Sequence, residues 1–187
     1  MNKLYKISAL LVAAVTITST AFAASPSVSV NENGDLKTVK GSVTIDAPAS
    51  QVWATVTNYN SMKNYLPGYK KSQVIANNGA NKKVDLSVKV SKLLPAFNYQ
   101  VAVSENASAK QITVQRVSGD FDSIHATYKL IPNGTQTTLV YTLKIDPGDK
   151  VPGFGVNTAL KDSTSDSLAA ISNRCSSEYK RSQVALN

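Results

Sequence analysis

Hydrophobic and polar residues alternate with a period of two along most of this chain. Val84, Leu86, Val88 and Val90 alternate with Asp85, Ser87 and Lys89, and Phe97, Tyr99, Val101 and Val103 alternate with Asn98, Gln100 and Ala102. Ile124, Ala126, Tyr128 and Leu130 share a face, as do Leu139, Tyr141, Leu143 and Ile145. Successive strand side chains point to opposite sides, so the alternation predicts strands with one apolar face. Strands are expected over 37–45, 69–76, 83–90, 97–105, 111–117, 124–130 and 136–145. The breaks between them hold turn-forming residues, among them Asn77-Asn78-Gly79, Ser118-Gly119-Asp120, Pro132-Asn133-Gly134 and Asp146-Pro147-Gly148. Such strands form an antiparallel sheet, wet on one face and in need of a cover on the other. Residues 24–35, polar and bearing Gly, Pro and Ser, read as a flexible N-terminal arm. The folded domain is expected over 36–184.

The period changes after Pro152-Gly153. Val156, Leu160, Thr164, Leu168, Ile171, Cys175 and Tyr179 recur at three-to-four spacing, which predicts one helix over 154–184. Asp162 and Asp166 fall on its opposite side. The apolar stripe is thin, because Thr164, Ser167 and Cys175 are small where a larger residue would fill a core. A thin stripe against an apolar sheet leaves a gap, or is closed by bulky sheet residues. The gap is the expected cavity. Its expected walls are Tyr99, Val101, Val114, Ile124, Tyr128 and Tyr141 from the sheet, and Leu160, Leu168 and Ile171 from the helix. Phe154, just before the helix, joins them.

Residues 41–75 read GSVTIDAPASQVWATVTNYNSMKNYLPGYKKSQVI: a strand, Ala47-Pro48, a short helix through Val52, Trp53 and Val56, then Tyr65-Leu66-Pro67-Gly68 and another strand. Further on come Gly119-Asp120-Phe121 with Ile124 and Tyr128, then Asn133-Gly134-Thr135-Gln136, a strand, a Pro-containing linker and the long helix. This order resembles the START-like (SRPBCC) superfamily, in its polyketide cyclase and coenzyme Q-binding branch. The family usually has tryptophan where this chain has Tyr128. The resemblance implies an α+β helix-grip fold: a strand, two small helices, six strands, and a long C-terminal helix gripped by the curved antiparallel sheet. It also implies an apolar ligand between sheet and helix, without fixing which one. Coenzyme Q is one candidate among lipids, quinones and similar molecules.

The N-terminus changes the expected location. Met1 to Lys6 carries two lysines, residues 7–17 are apolar and uncharged, and Ala21-Phe22-Ala23 is a small-x-small site. This is the pattern of a secretory signal peptide, 1–23, cleaved after Ala23, and it places the mature chain in the periplasm or outside the cell. Losing Lys3 and Lys6 lowers the formal charge from +8 to +6. The remaining excess, on residues such as Lys63, Lys70, Lys82, Lys83, Lys89 and Lys110, is a solvated basic surface or one that meets anionic membranes. No nucleic-acid motif is present, and an exported chain seldom meets nucleic acid. Cys175 is the one cysteine, so no internal disulfide forms and burial as a small apolar residue is expected.

Little in the chain suggests catalysis. His125, the one histidine, alternates with Ile124 and Ala126 and should face solvent. Without a second histidine or nearby cysteines, no zinc site is expected. Asp120/Asp122 and Asp146/Asp149 flank Gly or Pro and read as turn residues. No serine has a histidine on its face, and no phosphate-binding glycine fingerprint occurs. No cofactor, metal or catalytic residue is therefore assigned. Arg116 breaks the alternation Ile112-Val114-Arg116: pointing inward it would hold a ligand's polar head, and otherwise it lies at a strand end with its head in water. Trp53 is expected to pack the first helix on the sheet. Leu93 and Leu94 at a hairpin tip, with Lys92 beside them, and Val151 before the helix are the expected gate, in transient contact with a membrane. The function expected is non-enzymatic binding of a hydrophobic small molecule or lipid, for transport. A cyclase or dehydratase of the same superfamily is one alternative, and an envelope interaction protein with a filled cavity is another.

Overall fold

The computed structural model describes residues 25–90, 94–149 and 155–185. Eight strands form one antiparallel sheet: β1 (Ser27–Asn33), β2 (Leu36–Ile45), β3 (Tyr69–Asn78), β4 (Asn81–Val88), β5 (Phe97–Asn106), β6 (Gln111–Gly119), β7 (Ser123–Asn133) and β8 (Gln136–Asp146). Their order across the sheet is β1-β2-β8-β7-β6-β5-β4-β3, so β2 joins the last strand and the sheet stays open between edges β1 and β3. Helix α1 (Ala49–Val56) and a 3-10 helix (Tyr59–Asn64) link β2 to β3, and α2 (Val156–Val184) follows β8. The sheet curves over α2, the helix-grip arrangement the alternation and the resemblance predict.

The register explains why one face is apolar. Val103 lies opposite Val114, Val114 opposite Ala126, and Ala126 opposite Leu143, so four strands present one continuous inner row. His125 lies opposite Gln115 and Lys144 on the outer face and is exposed, as its alternation predicts. Helix α2 buries Val156, Leu160, Thr164, Leu168, Ile171 and Cys175 of the predicted stripe, leaves Tyr179 half-buried, and adds Ser172 and Ser176. It lies closest to the sheet at β2, where Gly41 meets Leu168: a Cβ there would stand 2.7 Å from the Leu168 Cδ1 atom. Helix α1 holds α2 from the side through Gln51, whose Nε2 donates to Glu178 Oε2 at 3.0 Å.

Residues 27–33 correct one expectation. They are not a flexible arm but strand β1, paired with β2 from Ser27↔Ser42 to Asn33↔Leu36. Gly34, at φ 59°, makes the two-residue turn that brings β1 back. Val28 and Val30 pack inward on the core, and Asn157 at the start of α2 donates to Glu32 Oε2 at 2.6 Å. Its two apolar residues form too short an alternation to stand out alone; β2 supplies its template. The expected signal peptide, 1–23, lies outside the described residues. Among the described residues, no helix is long and apolar enough to cross a membrane.

Candidate ligand-binding site

The buried side chains form two clusters. One gathers Val43, Ile45, Val52, Val84, Val101, Leu139, Leu168 and Ile171; the other gathers Phe97, Phe121, Ile124, Leu143, Ile145 and Leu160. A cavity of about 160 Å³ lies between them and is lined by members of both. It is close in size to a cavity of about 150 Å³ that holds one benzene ring. The small residues of α2 create it, since Ser163, Thr164 and Ser167 are all in its wall.

Nine of the sequence-predicted residues line this cavity: Tyr99, Val101, Val114, Ile124, Tyr128, Tyr141, Leu160, Leu168 and Ile171. Arg116 is not among its walls. It sits opposite Val101, next to a register irregularity between Gln100 and Val101, and its Nη2 donates to the Gly119 carbonyl at 3.0 Å. The guanidinium is thus held by the backbone at the end of its own strand. Leu94 is half-buried, packs on the second cluster and is not among the cavity's wall residues. Leu93, Val151 and Phe154 lie outside the described residues. Trp53 packs on the core beside Lys110, whose Nζ stands 5.7 Å from its ring centroid, and is not a cavity residue.

The cavity has a wall that sequence reasoning did not assign. Val56, Tyr59, Met62, Leu66 and Pro67, from α1 and the segment after it, close one side. Their periodicity is too short to say which surface they cover, because that depends on how the segment folds back. Tyr59 is anchored there: its hydroxyl donates to Glu105 Oε1 at 2.7 Å, and Lys82 Nζ stands 2.7 Å from the same oxygen. Ser72 fixes the turn by donating to the Tyr59 carbonyl at 2.6 Å.

Every described wall residue is uncharged. The polar groups are hydroxyls: Ser163, Thr164 and Ser167 on the helix side, and Tyr69, Tyr99, Tyr128 and Tyr141 on the sheet side. Tyr128 and Tyr141 are cross-strand partners with ring centroids 4.7 Å apart. Tyr99 meets Phe121 edge-on at 5.1 Å. Burial raises the phenol of Tyr69 to about 12, and burial first, then the neighbouring phenols, raises Tyr99, Tyr128 and Tyr141 further. These rings keep some accessible area while lying deep in the protein, because that area is cavity wall. All four are neutral donors and acceptors across the physiological range.

Asp120 and Asp146 are engaged by backbone amides. Asp120 Oδ2 accepts from the Asn98 amide at 2.8 Å, and Asp146 Oδ1 accepts from the Gly148 amide at 3.0 Å. Asp162 and Asp166 are exposed on α2. Among the described residues, no three histidine, cysteine or carboxylate side chains gather as metal ligands.

Residues 45–171 match the family model described as polyketide cyclase / dehydrase and lipid transport. Curated protein sequences give no match. Among solved structures, the STAR-related lipid transfer protein from Xanthomonas axonopodis is similar at TM-score 0.68 and 18% identity, covering 81% of this chain and 93% of that one. The Zhui aromatase/cyclase from a Streptomyces species is similar at TM-score 0.66 and 15% identity, with 75% and 93% covered. The human StarD13 lipid transfer and protein localization domain is similar at TM-score 0.66 and 16% identity, with 79% and 83% covered. At these identities the likeness is one of fold.

Proposed function

Because the chain belongs to the family of polyketide cyclases, dehydrases and lipid-transport proteins, we propose that it binds a compact hydrophobic molecule between sheet and helix and carries it outside the cytoplasm. The observation that carries this reading is the uncharged cavity between the two halves of the core. An apolar molecule there gains about 25 cal/mol for each Å² removed from water, so no ionic anchor is needed. Binding is preferred to catalysis because acid–base chemistry needs a group that exchanges protons near neutrality, and the phenols in this wall are held neutral. A cyclase or dehydratase keeps one observation in its favour, the tyrosines that face the cavity and can donate to a carbonyl.

Export rests on the charged, apolar and small-x-small order of residues 1–23. Leu93, Leu94 and Val151 are, in this proposal, the exit, and Lys92 and Lys150, their neighbours in the sequence, meet anionic headgroups. Mass spectrometry of small molecules extracted from natively purified protein tests the main reading. One apolar compound class, enriched over a Ser167→Phe variant whose cavity is filled, is the expected result. Equal content in both proteins would refute cavity binding. For the exit, Leu93→Ser should slow ligand transfer between anionic vesicles at unchanged capacity.

A further inference from the structure

Four phenols stand in the same cavity wall, on four strands. Tyr69 opens β3, Tyr99 is on β5, and Tyr128 and Tyr141 pair across β7 and β8. All four line the one cavity, and the rings of Tyr128 and Tyr141 lie with centroids 4.7 Å apart. Tyr59, the other tyrosine in the wall, spends its hydroxyl on Glu105. The hydroxyls of Tyr69 and Tyr99 make no such bond with another described residue, and Tyr128 and Tyr141 interact with each other. A wall meant only for hydrocarbon would do better with phenylalanine, because a buried hydroxyl needs a partner. These four residues therefore bring a set of neutral donors and acceptors to the sheet side of a wall that holds no charge.

We propose that the cavity selects uncharged molecules bearing a carbonyl or hydroxyl oxygen on a compact ring-sized frame, with one or two of the Tyr69, Tyr99, Tyr128 and Tyr141 hydroxyls bonding to that oxygen. This rests on the binding function above and narrows it to a ligand class. A plain hydrocarbon leaves the Tyr69 and Tyr99 hydroxyls without a partner, which costs affinity. A carboxylate enters a space whose described walls hold no cation, and loses its hydration without a counter-charge. A neutral oxygen avoids both penalties. The cavity's size, near that of one that holds a benzene ring, suits one ring better than a long acyl chain.

Four probes of one frame separate these cases: toluene, acetophenone, p-cresol and benzoate, each titrated at pH 7 and read by ligand-observed NMR. Acetophenone and p-cresol should bind about tenfold more tightly than toluene. Benzoate should bind more weakly than toluene. In the Tyr69→Phe/Tyr99→Phe/Tyr128→Phe/Tyr141→Phe variant, acetophenone should fall to the level of toluene, while toluene binds as before or better. If that variant does not fold, Tyr99→Phe alone should lose part of the same preference. Toluene binding as tightly as acetophenone in the natural chain overturns the proposal and leaves cavity binding intact. So does benzoate matching acetophenone, or a preference that survives in the folded variant. Failure of all four probes to bind overturns the binding function itself, and this inference with it.

Discussion

Gly41 and Thr137 are two residues whose chemistry is fixed by what touches them. A side chain at Gly41 meets Leu168 Cδ1 at 2.7 Å, and Leu168 is only 2% exposed, so it has little room to withdraw. Gly41→Val should cost about 1–3 kcal/mol through overpacking. A lower urea midpoint at unchanged slope is the expected reading, and an unchanged midpoint would show that α2 shifts freely on β2. Thr137 is fully buried, and its hydroxyl donates to the Ala47 carbonyl at 2.8 Å, tying β8 to the entry of α1. Thr137→Val leaves that carbonyl unpaired and should cost about 1–3 kcal/mol by the same measurement. At this scale the sequence was readable where alternation alone decides. His125 faces out and Val101 and Val114 face in, as their positions imply. Arg116 escaped the rule because a register irregularity and the Gly119 carbonyl decide where its head goes, and neither is a matter of period.

Helix α2 is the element on which the cavity depends. Its buried residues include Thr164, Ser172, Cys175 and Ser176 beside only a few large ones, so it covers the sheet without filling the space beneath. The three-to-four spacing and the small residues within it were both visible in the chain, which is why the cavity and nine of its walls could be anticipated. The wall from α1 and the 3-10 helix was not, because a segment of some fifteen residues carries too few apolar positions to reveal its facing surface. Strand β1 escaped for a related reason: Val28 and Val30 acquire meaning only against β2. Ser167 lies in the wall on the helix side, which makes it the place to close the cavity. Ser167→Phe should keep the fold, with stability within about 1–3 kcal/mol of the natural chain, and abolish binding of small aromatic probes. Full probe occupancy in the folded variant would show that the ligand sits elsewhere.

The whole molecule joins its binding chemistry to its response to pH. Burial raises the Cys175 thiol from about 9 to about 11, and the Tyr69 phenol from about 10 to about 12, with Tyr99, Tyr128 and Tyr141 raised as well. Each group is favoured in its protonated form in the folded state. Below about pH 9 both folded and unfolded chains hold these protons, and the groups make stability no more and no less dependent on pH. Between about pH 9 and 12 the unfolded chain releases them first, so it binds fewer protons and stability falls as pH rises. Urea midpoints should therefore show no contribution from these groups between pH 7 and 8.5 and decline above about 9, with Cys175→Ala delaying the onset toward 10 at a lower starting stability. Phenolate absorbance should appear together with loss of structure. Complete ionisation of the four cavity tyrosines in a still-folded protein near pH 10 would contradict their burial. It would also remove the basis for neutral-ligand selection, because a wall of accessible phenolates would repel the carbonyl oxygen that a wall of phenols attracts.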